Sequence, residues 1–335
     1  MSHFIVMVIG TDVTEQLEPF WELDLSQEEI KYDERVEFQD CTDEVEEDWN
    51  GRKNLVRMPD GRILTPWDDV FRVGDTVGIG PNTHEVKPPL KVEEVPTKEY
   101  VKSLGMTKEE HIADWYGYVQ NDEGKWGYYC NPNAKWDWWE IGGRWSGYFK
   151  VKEGVPSYRY TLGKPGVMGS CRDRGEKRAD QIHKGDIDLK GMRKEAEEKA
   201  NELYDVFEQT VSGLPVSESW ESVRTRMETI DEAREFYHNQ PMIKAMTKVD
   251  KLTWYKPEDF FVSNGGRKRF VENAFCRVIT PFAILKDGKW YEKGKMGWWG
   301  VVHDEKLQYD WSAKFMELFE ELPDDTLITM VDCHI

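Results

Sequence analysis

The sequence predicts an α+β fold built on a mixed or antiparallel sheet that contains both chain termini. A β-branched run at residues 4–9 opens the chain, and a second one, residues 326–331, lies close to its end. Apolar runs of this kind form buried strands. Between them come long insertions, a hairpin and a helix, an order typical of an α+β fold. We expect a ferredoxin-like or related core with large helical and loop insertions.

Helical periodicity is strongest in the middle of the chain. Residues 189–211 repeat apolar side chains at three- and four-residue spacing, and Gly213 and Pro215 follow. This pattern predicts a long amphipathic helix. Thr107 and Glu110 have the spacing of a capping box and predict another helix start. Shorter helices are expected at residues 107–119, 219–227, 231–246 and 312–322.

Strand signals dominate the last third. An apolar segment at residues 274–285, broken at Pro281, predicts a strand, and Asp287-Gly288 is a typical hairpin turn. Residues 290–302 are then the returning arm. Near the start of the chain, residues 62–64 and 76–79 are expected to be short strands between turns.

We interpret this pattern as a single α+β domain, residues 1–335, with three insertions. The first is acidic and spans about residues 11–50, where the sequence does not decide between a helix and a solvated excursion. The second is a Gly-rich, basic loop at residues 159–188. The third, residues 189–248, is helical.

The charge is strongly uneven along the chain. The net charge is −19, and the first hundred residues hold 24 Asp and Glu against 10 Lys and Arg. Non-specific binding to a phosphate backbone needs a basic face, so we do not expect direct non-specific nucleic-acid binding. An acidic face can instead bind a basic protein surface or mimic nucleic acid, and plain solubility is the alternative.

The cysteines indicate a reducing compartment. They are odd in number, scattered and without a CxxC spacing, which fits free thiols rather than disulfides or a zinc site. They are Cys41, Cys130, Cys171, Cys276 and Cys333. The N-terminus is not a typical signal peptide, and no segment has the apolar length of a membrane span. We therefore expect a cytoplasmic protein that does not bind membranes.

Residues 131–147, NPNAKWDWWEIGGRWSG, are the most distinctive stretch of the chain. Strand alternation would place Trp136 and Trp138 on one face and Asp137 and Trp139 on the other, and the two glycines would end the strand or admit a close neighbour. One interpretation is a buried aromatic strand. The other is a ligand-binding cleft with Arg144 facing an anion. The candidate ligand-binding residues are Trp136, Trp138, Trp139, Arg144, Trp145, Lys184, Trp298 and Trp299.

A second candidate site is the segment DQIHKGDID, residues 180–188. Asp186 and Asp188 on a loop can hold a divalent cation, which is the one cofactor the sequence suggests. They can equally cap the helix that follows. Lys184 and the arginines before it can bind a phosphate or belong to a solvated loop.

Two histidines near strand ends are weaker candidates for catalysis. His303 follows the Trp298-Trp299 pair, and Asp332 and His334 share one face of the last strand, where they can act as ligands or as an acid–base pair. A polar end to an edge strand is the structural alternative. Cys333 and His334 are adjacent and point to opposite faces, which argues against a thiol–imidazole nucleophile pair.

Four segments resemble a family of tailed-phage and prophage proteins of unassigned function. They are MSHFIVMVIG, NPNAKWDWWEIGGRWSG, DQIHKGDID and TLITMVDCHI, and the long Trp-rich block is the specific one. The resemblance covers both termini and the middle of the chain. It implies a phage-encoded accessory protein in the host bacterial cytoplasm, and it transfers no catalytic residue.

Three functional hypotheses follow. The protein binds a nucleotide-like or other planar anionic ligand in a Trp-lined cleft, and so takes part in host takeover or anti-defence. Alternatively, it is a metal-dependent phosphoesterase that uses Asp186, Asp188, His303 or His334. As a third hypothesis, its acidic surface covers and inhibits a host protein.

Overall fold

A computed structural model describes residues 2–71, 91–164, 177–261, 266–297 and 301–335. The chain forms two compact units. Unit 1 comprises Met1–Pro19 and Lys135–Ile335, and unit 2 comprises Phe20–Ala134. The predicted strand at residues 76–79 lies outside the described residues.

The strands, in chain order, are β1 His3–Ile9, β2 Glu37–Asp40, β3 Arg52–Arg57, β4 Ile63–Leu64, β5 Val92–Pro96, β6 Val119–Gln120, β7 Trp126–Cys130, β8 Trp138–Ile141, β9 Phe149–Lys150, β10 Tyr160–Leu162, β11 Arg178–His183, β12 Ala283–Lys286, β13 Lys289–Glu292, β14 Lys295–Met296, β15 Val302–His303 and β16 Leu327–His334. The helices are α1 Val13–Leu17, α2 Gln27–Ile30, α3 Thr42–Asn50, α4 Thr97–Ser103, α5 Lys108–Tyr116, α6 Leu189–Val211, α7 Trp220–Arg226, α8 Ile230–Asn239, α9 Pro241–Met246, α10 Pro257–Phe261, α11 Gly266–Arg277 and α12 Gln308–Glu320. Among these described helices, none is both long and apolar enough to cross a membrane.

The main sheet of unit 1 has the strand order β10-β11-β16-β1-β12-β13. The first and last strands of the chain are neighbours at its centre: β1 pairs antiparallel with β16 and parallel with β12. The outer edge of β16 is shared, because β11 pairs with its beginning and β8 pairs with its end. The predicted α+β class, with a mixed sheet that holds both termini, is confirmed.

One face of this sheet packs against helix α12. Alternate residues of the two central strands, among them Met7 and Met330, belong to one buried cluster with the helix side chains Trp311 and Phe315, and all four are at most 1 % exposed. The Trp311 indole N–H donates to the Pro281 carbonyl at 2.7 Å, so its polar atom is satisfied inside the core. This core lies under the middle of β1 and β16 and leaves their paired ends outside it.

The long helix α6 has the predicted bounds, and Asp188 is its N-cap, with the carboxylate accepting from the Gly191 N–H at 2.9 Å. The expected single helix at residues 231–246 is instead two helices, α8 and α9. Gln240 is extended between them and Pro241 is the first residue of α9. Proline lacks the N–H that a continuous helix needs but fits a first turn, so it restarts the helix there.

The strand predicted at residues 274–285 is wrong in its first half. Residues up to Arg277 are the last turn of α11, and the strand β12 begins only at Ala283. Short apolar runs do not distinguish a buried strand from a buried helix by periodicity. Packing of α11 along α6 decides the helical state here.

Unit 2 contains two three-stranded sheets, β2-β7-β6 and β4-β3-β5. Its core includes Leu55, Val95 and Val101, each at most 2 % exposed. The acidic stretch that the sequence left open contains β2 and the helix α3. Several of its carboxylates form ion pairs within the unit, namely Asp33 with Arg35, Asp40 with Lys125, Glu46 with Lys108, and Asp48 with Lys53. Hydrogen bonds from Arg35 lower the pKa of Asp33 to about 2.

His111 on α5 is buried in unit 2, with its Nε2 atom 3.6 Å from an Asp48 oxygen. Burial lowers the pKa of His111, and the nearby Lys53 charge lowers it further, while Asp48 acts in the opposite direction. Because the folded state binds a proton less readily than the unfolded state, acidification favours unfolding.

We expect the free energy of unfolding to fall as the pH drops below the ordinary histidine pKa of about 6.5. His111→Gln is expected to remove part of this fall, because the charged form no longer has to be desolvated. Urea denaturation between pH 7.5 and 5 measures it, with the exposed His238→Gln as the control. An unchanged pH dependence in His111→Gln would contradict the assignment.

Candidate functional site

The paired ends of β1 and β16, together with β8, form a polar surface beyond the hydrophobic core. The registers place Trp138, His334 and His3 side by side across β8, β16 and β1. Residues directly opposite each other on neighbouring strands share a face. We call this surface the terminal face and define it by His3, Asp137, Trp138, Asp332 and His334.

The two histidines stand close together because of the hydrogen-bond pattern between their strands. Ser2 and Ile335 exchange two backbone hydrogen bonds of 3.1 Å, so the adjacent His3–His334 pair is the non-hydrogen-bonded kind, in which side chains approach most closely. Their ring centroids are 4.9 Å apart, and the planes are inclined by 73°. Trp138 is edge-on to both rings, at 6.1 Å from His3 and 6.4 Å from His334.

Each imidazole is oriented by its own carboxylate. The His3 Nδ1 atom lies 2.9 Å from Asp332 Oδ1, and the His334 Nδ1 atom lies 2.7 Å from Asp137 Oδ1. An ionised carboxylate only accepts hydrogen bonds, so each of these bonds selects the tautomer with the proton on Nδ1, in which a neutral ring has its lone pair at Nε2. The side chains of His3 and His334 are 16 % and 13 % exposed. Within the described residues, neither Nε2 atom has a hydrogen-bond partner.

Two buried carboxylates fix the turn that follows β8. Asp332 is 1 % exposed, and its Oδ2 atom accepts the Arg144 backbone N–H at 2.9 Å. Asp180, 3 % exposed, accepts the Ser146 hydroxyl at 2.7 Å and the Gly147 N–H. The turn therefore supplies the donors that these buried charges need.

Gly142 and Gly143 permit that approach. They have φ of +74° and +44°, in the region that favours glycine. A Cβ on Gly142 would lie 2.4 Å from Asp180 Oδ2, and one on Gly143 would lie 2.4 Å from the Asp332 Cβ. The glycine pair ends the strand, as predicted. The groups that approach it closely are the carboxylates of Asp180 and Asp332.

Cations flank the terminal face. Arg144 is exposed, and its guanidinium forms no ion pair with a described residue. Lys164 donates to Glu140 on β8 at 3.0 Å through a largely exposed side chain. Glu140 lies opposite Asp332 and shares its face. The backbone of Arg144 is thus anchored to Asp332 at this face, and its guanidinium forms no ion pair with a described side chain.

The four tryptophans of the block do not form a common cleft. Strand β8 begins only at Trp138, so the expected shared face for Trp136 and Trp138 is wrong. Trp136 is 7 % exposed and its indole N–H donates to the Leu17 carbonyl at 3.1 Å. Trp139 and Trp145 are half-buried, while Trp138 is 49 % exposed. Trp138 is the indole of the block with the most open ring surface. Trp298 and Trp299 lie outside the described residues.

The other predicted site residues serve different contacts. Lys184 donates to the Glu320 and Leu322 carbonyls at the end of α12, so its charge caps that helix. Asp186 pairs with Arg159 at 2.5 Å. Asp188 caps α6, in agreement with the helix-capping interpretation of this segment. His303 is exposed on β15. In the part of the chain that the structure describes, no group of three or more His, Cys, Asp or Glu side chains is arranged to hold a metal ion.

Cys333 faces away from the terminal face and is fully buried. Its burial raises the pKa of the thiol well above the ordinary value, and Asp332 adds to this. The thiol therefore stays protonated and is a poor nucleophile. The prediction that Cys333 and His334 do not act together is in keeping with this.

His3 and Asp137 were missed as site residues. Both follow from the sequence once the first and last strands are paired: His3 then lies opposite His334, and Asp137 precedes the strand that runs beside it. The signal was a histidine at the end of each of two strands expected in one sheet.

Comparison with known proteins gives no match to a protein family, a curated protein or a solved structure. The chemistry of this site therefore follows from its own geometry.

The glycine turn gives a test of the site's architecture. Gly143→Ala should lower the free energy of unfolding by more than about 3 kcal/mol, because the new Cβ overlaps Asp332 and the backbone is strained. Gly154 also has a positive φ, +81°, but a Cβ on this glycine would meet no described atom within 4 Å. Gly154→Ala should therefore cost only the strain, about 1–2 kcal/mol. Equal losses in chemical denaturation would contradict the packing argument.

Proposed function

We propose that the terminal face binds a planar, phosphate-bearing ligand of the nucleotide type. One observation carries this proposal: the half-exposed Trp138 lies in a row with two carboxylate-oriented imidazoles, and Arg144, whose backbone is bonded to Asp332, has no described ion-pair partner. The indole offers a stacking surface to a base. The guanidinium of Arg144 offers donors to a phosphate, and each histidine adds an Nε2 donor when its ring is protonated.

The expected affinity rests on a few contacts. Stacking of a base on an aromatic side chain is worth about 1–3 kcal/mol, and a hydrogen bond to a charged group about 1.5–3 kcal/mol. Loss of either contact should therefore weaken binding by about tenfold. Aromatic rings held by their neighbours lose little entropy on binding, which favours a measurable affinity.

Trp138→Ala and Arg144→Gln should each raise the Kd for adenosine 5′-monophosphate by about tenfold, because one removes stacking and the other removes charge. Isothermal titration calorimetry on tag-free protein measures this.

The matched control is Trp67→Ala, which removes a tryptophan of unit 2 that is 68 % exposed. It should leave the Kd unchanged. Binding that survives both Trp138→Ala and Arg144→Gln would place the ligand elsewhere and end the proposal.

A second candidate function is general acid–base cleavage of a phosphate ester at the same face. The observation that favours it is the pair of Asp-oriented imidazoles with centroids 4.9 Å apart. One neutral Nε2 would take a proton from water as its oxygen forms a bond to phosphorus. The other histidine, protonated, would give its Nε2 proton to the leaving oxygen as that phosphorus–oxygen bond breaks. The Asp partners would hold both rings in orientation without themselves exchanging protons.

This second function predicts turnover of bis(p-nitrophenyl) phosphate with a bell-shaped pH dependence, since one histidine must be neutral and the other charged. His3→Asn and His334→Asn should each reduce kcat by about a hundredfold or more. Asp137→Asn should reduce kcat less, because it loses orientation only.

Two controls separate this chemistry from the alternatives. His303→Asn, at an exposed histidine on β15, should have no effect. Chelation with EDTA should also have no effect, whereas a metal-dependent phosphoesterase would lose its activity. Turnover that disappears with EDTA but persists in His3→Asn would contradict acid–base catalysis by the pair.

The resemblance to phage and prophage proteins supports a cellular setting for either function. Sequestration or cleavage of a host nucleotide signal in the bacterial cytoplasm is then the proposed role in host takeover or anti-defence. The third hypothesis, an inhibitor that uses the acidic residues between Asp33 and Asp48, has less support, because Lys and Arg of the same unit already pair with several of them.

A further inference from the structure

A groove runs between α6 and α11 in unit 1, on the helical part of that unit. It encloses about 580 Å³ and is also lined by the segment that precedes α10. Small side chains create it: Ala196 and Ala200 on α6 face Ala274 on α11. Ala196 and Ala200 are four residues apart and so lie on one face of α6, where the two helices pack together and yet leave space between them.

Aromatic side chains form one wall of the groove. Phe270 stacks on Phe260 with ring centroids 4.9 Å apart, and Tyr255 contacts Phe260 at 5.4 Å, so both lining rings are held in place from behind. Trp254, at the rim, is 91 % exposed, and leaving an indole so open to water is unfavourable for the isolated chain. This wall is a preformed surface for a flat apolar ring.

The charged residues of the groove leave two cations available. Lys199 and Arg277 both line it, and neither forms a hydrogen bond or ion pair through its side chain with a described residue. The acidic residue Asp259 also lines the groove, but its carboxylate accepts the Lys256 backbone N–H at 2.7 Å. Glu195, one turn before Lys199, is already bonded to Lys150 and Arg178. By formal charge the groove therefore holds two cations, Lys199 and Arg277, against the one carboxylate of Asp259, and this positive balance favours an anion.

We propose that this groove is a second binding site, for a small planar aromatic molecule that carries one anionic group. The ring would lie against Tyr255, Phe270 and Trp254, and the anion would pair with Lys199 and Arg277. A volume of about 580 Å³ falls within the range of small-molecule sites. The groove shares no residue with the terminal face, so a test of one site does not depend on the outcome for the other.

The probe for this site is naphthalene-2-sulfonate, which combines a flat ring with a permanent charge and contains no ester to cleave. Isothermal titration calorimetry on the full chain should show binding. Naphthalene-2-sulfonamide, the neutral counterpart, should bind about tenfold more weakly, because it lacks the charge that Lys199 and Arg277 recognise.

Variants locate the bound probe. Lys199→Gln and Arg277→Gln should each raise the Kd by about fivefold to tenfold, and Ala274→Leu, which fills the groove, should abolish binding. Lys194→Gln, an exposed lysine on the same helix, is the matched control and should leave the Kd unchanged. Trp138→Ala should also leave it unchanged, since that residue belongs to the terminal face.

Three outcomes would overturn the inference. The first is a Kd for naphthalene-2-sulfonate that is unchanged in Lys199→Gln, in Arg277→Gln and in Ala274→Leu. The second is equal affinity for the sulfonate and the sulfonamide, which removes the role of the cations. The third is loss of binding in Trp138→Ala alone, which assigns the probe to the terminal face. The two charge substitutions alter exposed side chains, so the test does not depend on whether Ala274→Leu folds.

Discussion

The buried carboxylate of Asp332 is the interaction on which the terminal face depends. Its two oxygens are bonded to different parts of the chain, one to His3 on the first strand and one to the Arg144 backbone after β8. An ionised group at 1 % exposure is tolerated only when its bonds are made, and breaking one of them leaves an uncompensated charge. The same contact therefore holds the strand ends together, orients one imidazole and fixes the turn that presents the arginine.

The site lies where the hydrophobic core stops. The middle of β1 and β16 contributes Met7 and Met330 to the core, and the next positions along the same face are Asp332 and then the two histidines. Apolar packing makes the strands rigid, and this rigidity is passed to the side chains at their ends. A pair of imidazoles on such a base keeps its separation.

The groove between α6 and α11 rests on a different principle. There the binding surface exists because alanine side chains are too small to fill the space between the helices: three alanines face one another where larger side chains would interlock. The terminal face concentrates polar groups that satisfy one another, whereas the groove leaves an indole exposed and two cations without a hydrogen bond or ion pair to a described residue. Both belong to unit 1, and they differ in chemistry enough to be examined separately.

The sequence by itself determined the α+β class, the presence of both termini in one sheet, the bounds of α6 and the glycine break after β8, because these follow from local periodicity and backbone preference. It did not determine which tryptophan stays open, or that Lys184 and Asp186 are used in structural contacts, because burial and pairing depend on distant residues. The join between α11 and β12 was misplaced for the same reason. The two Asp–His pairs link residues 329 and 197 positions apart. Only the tertiary structure brings such residues together, since no local pattern encodes the distance between them.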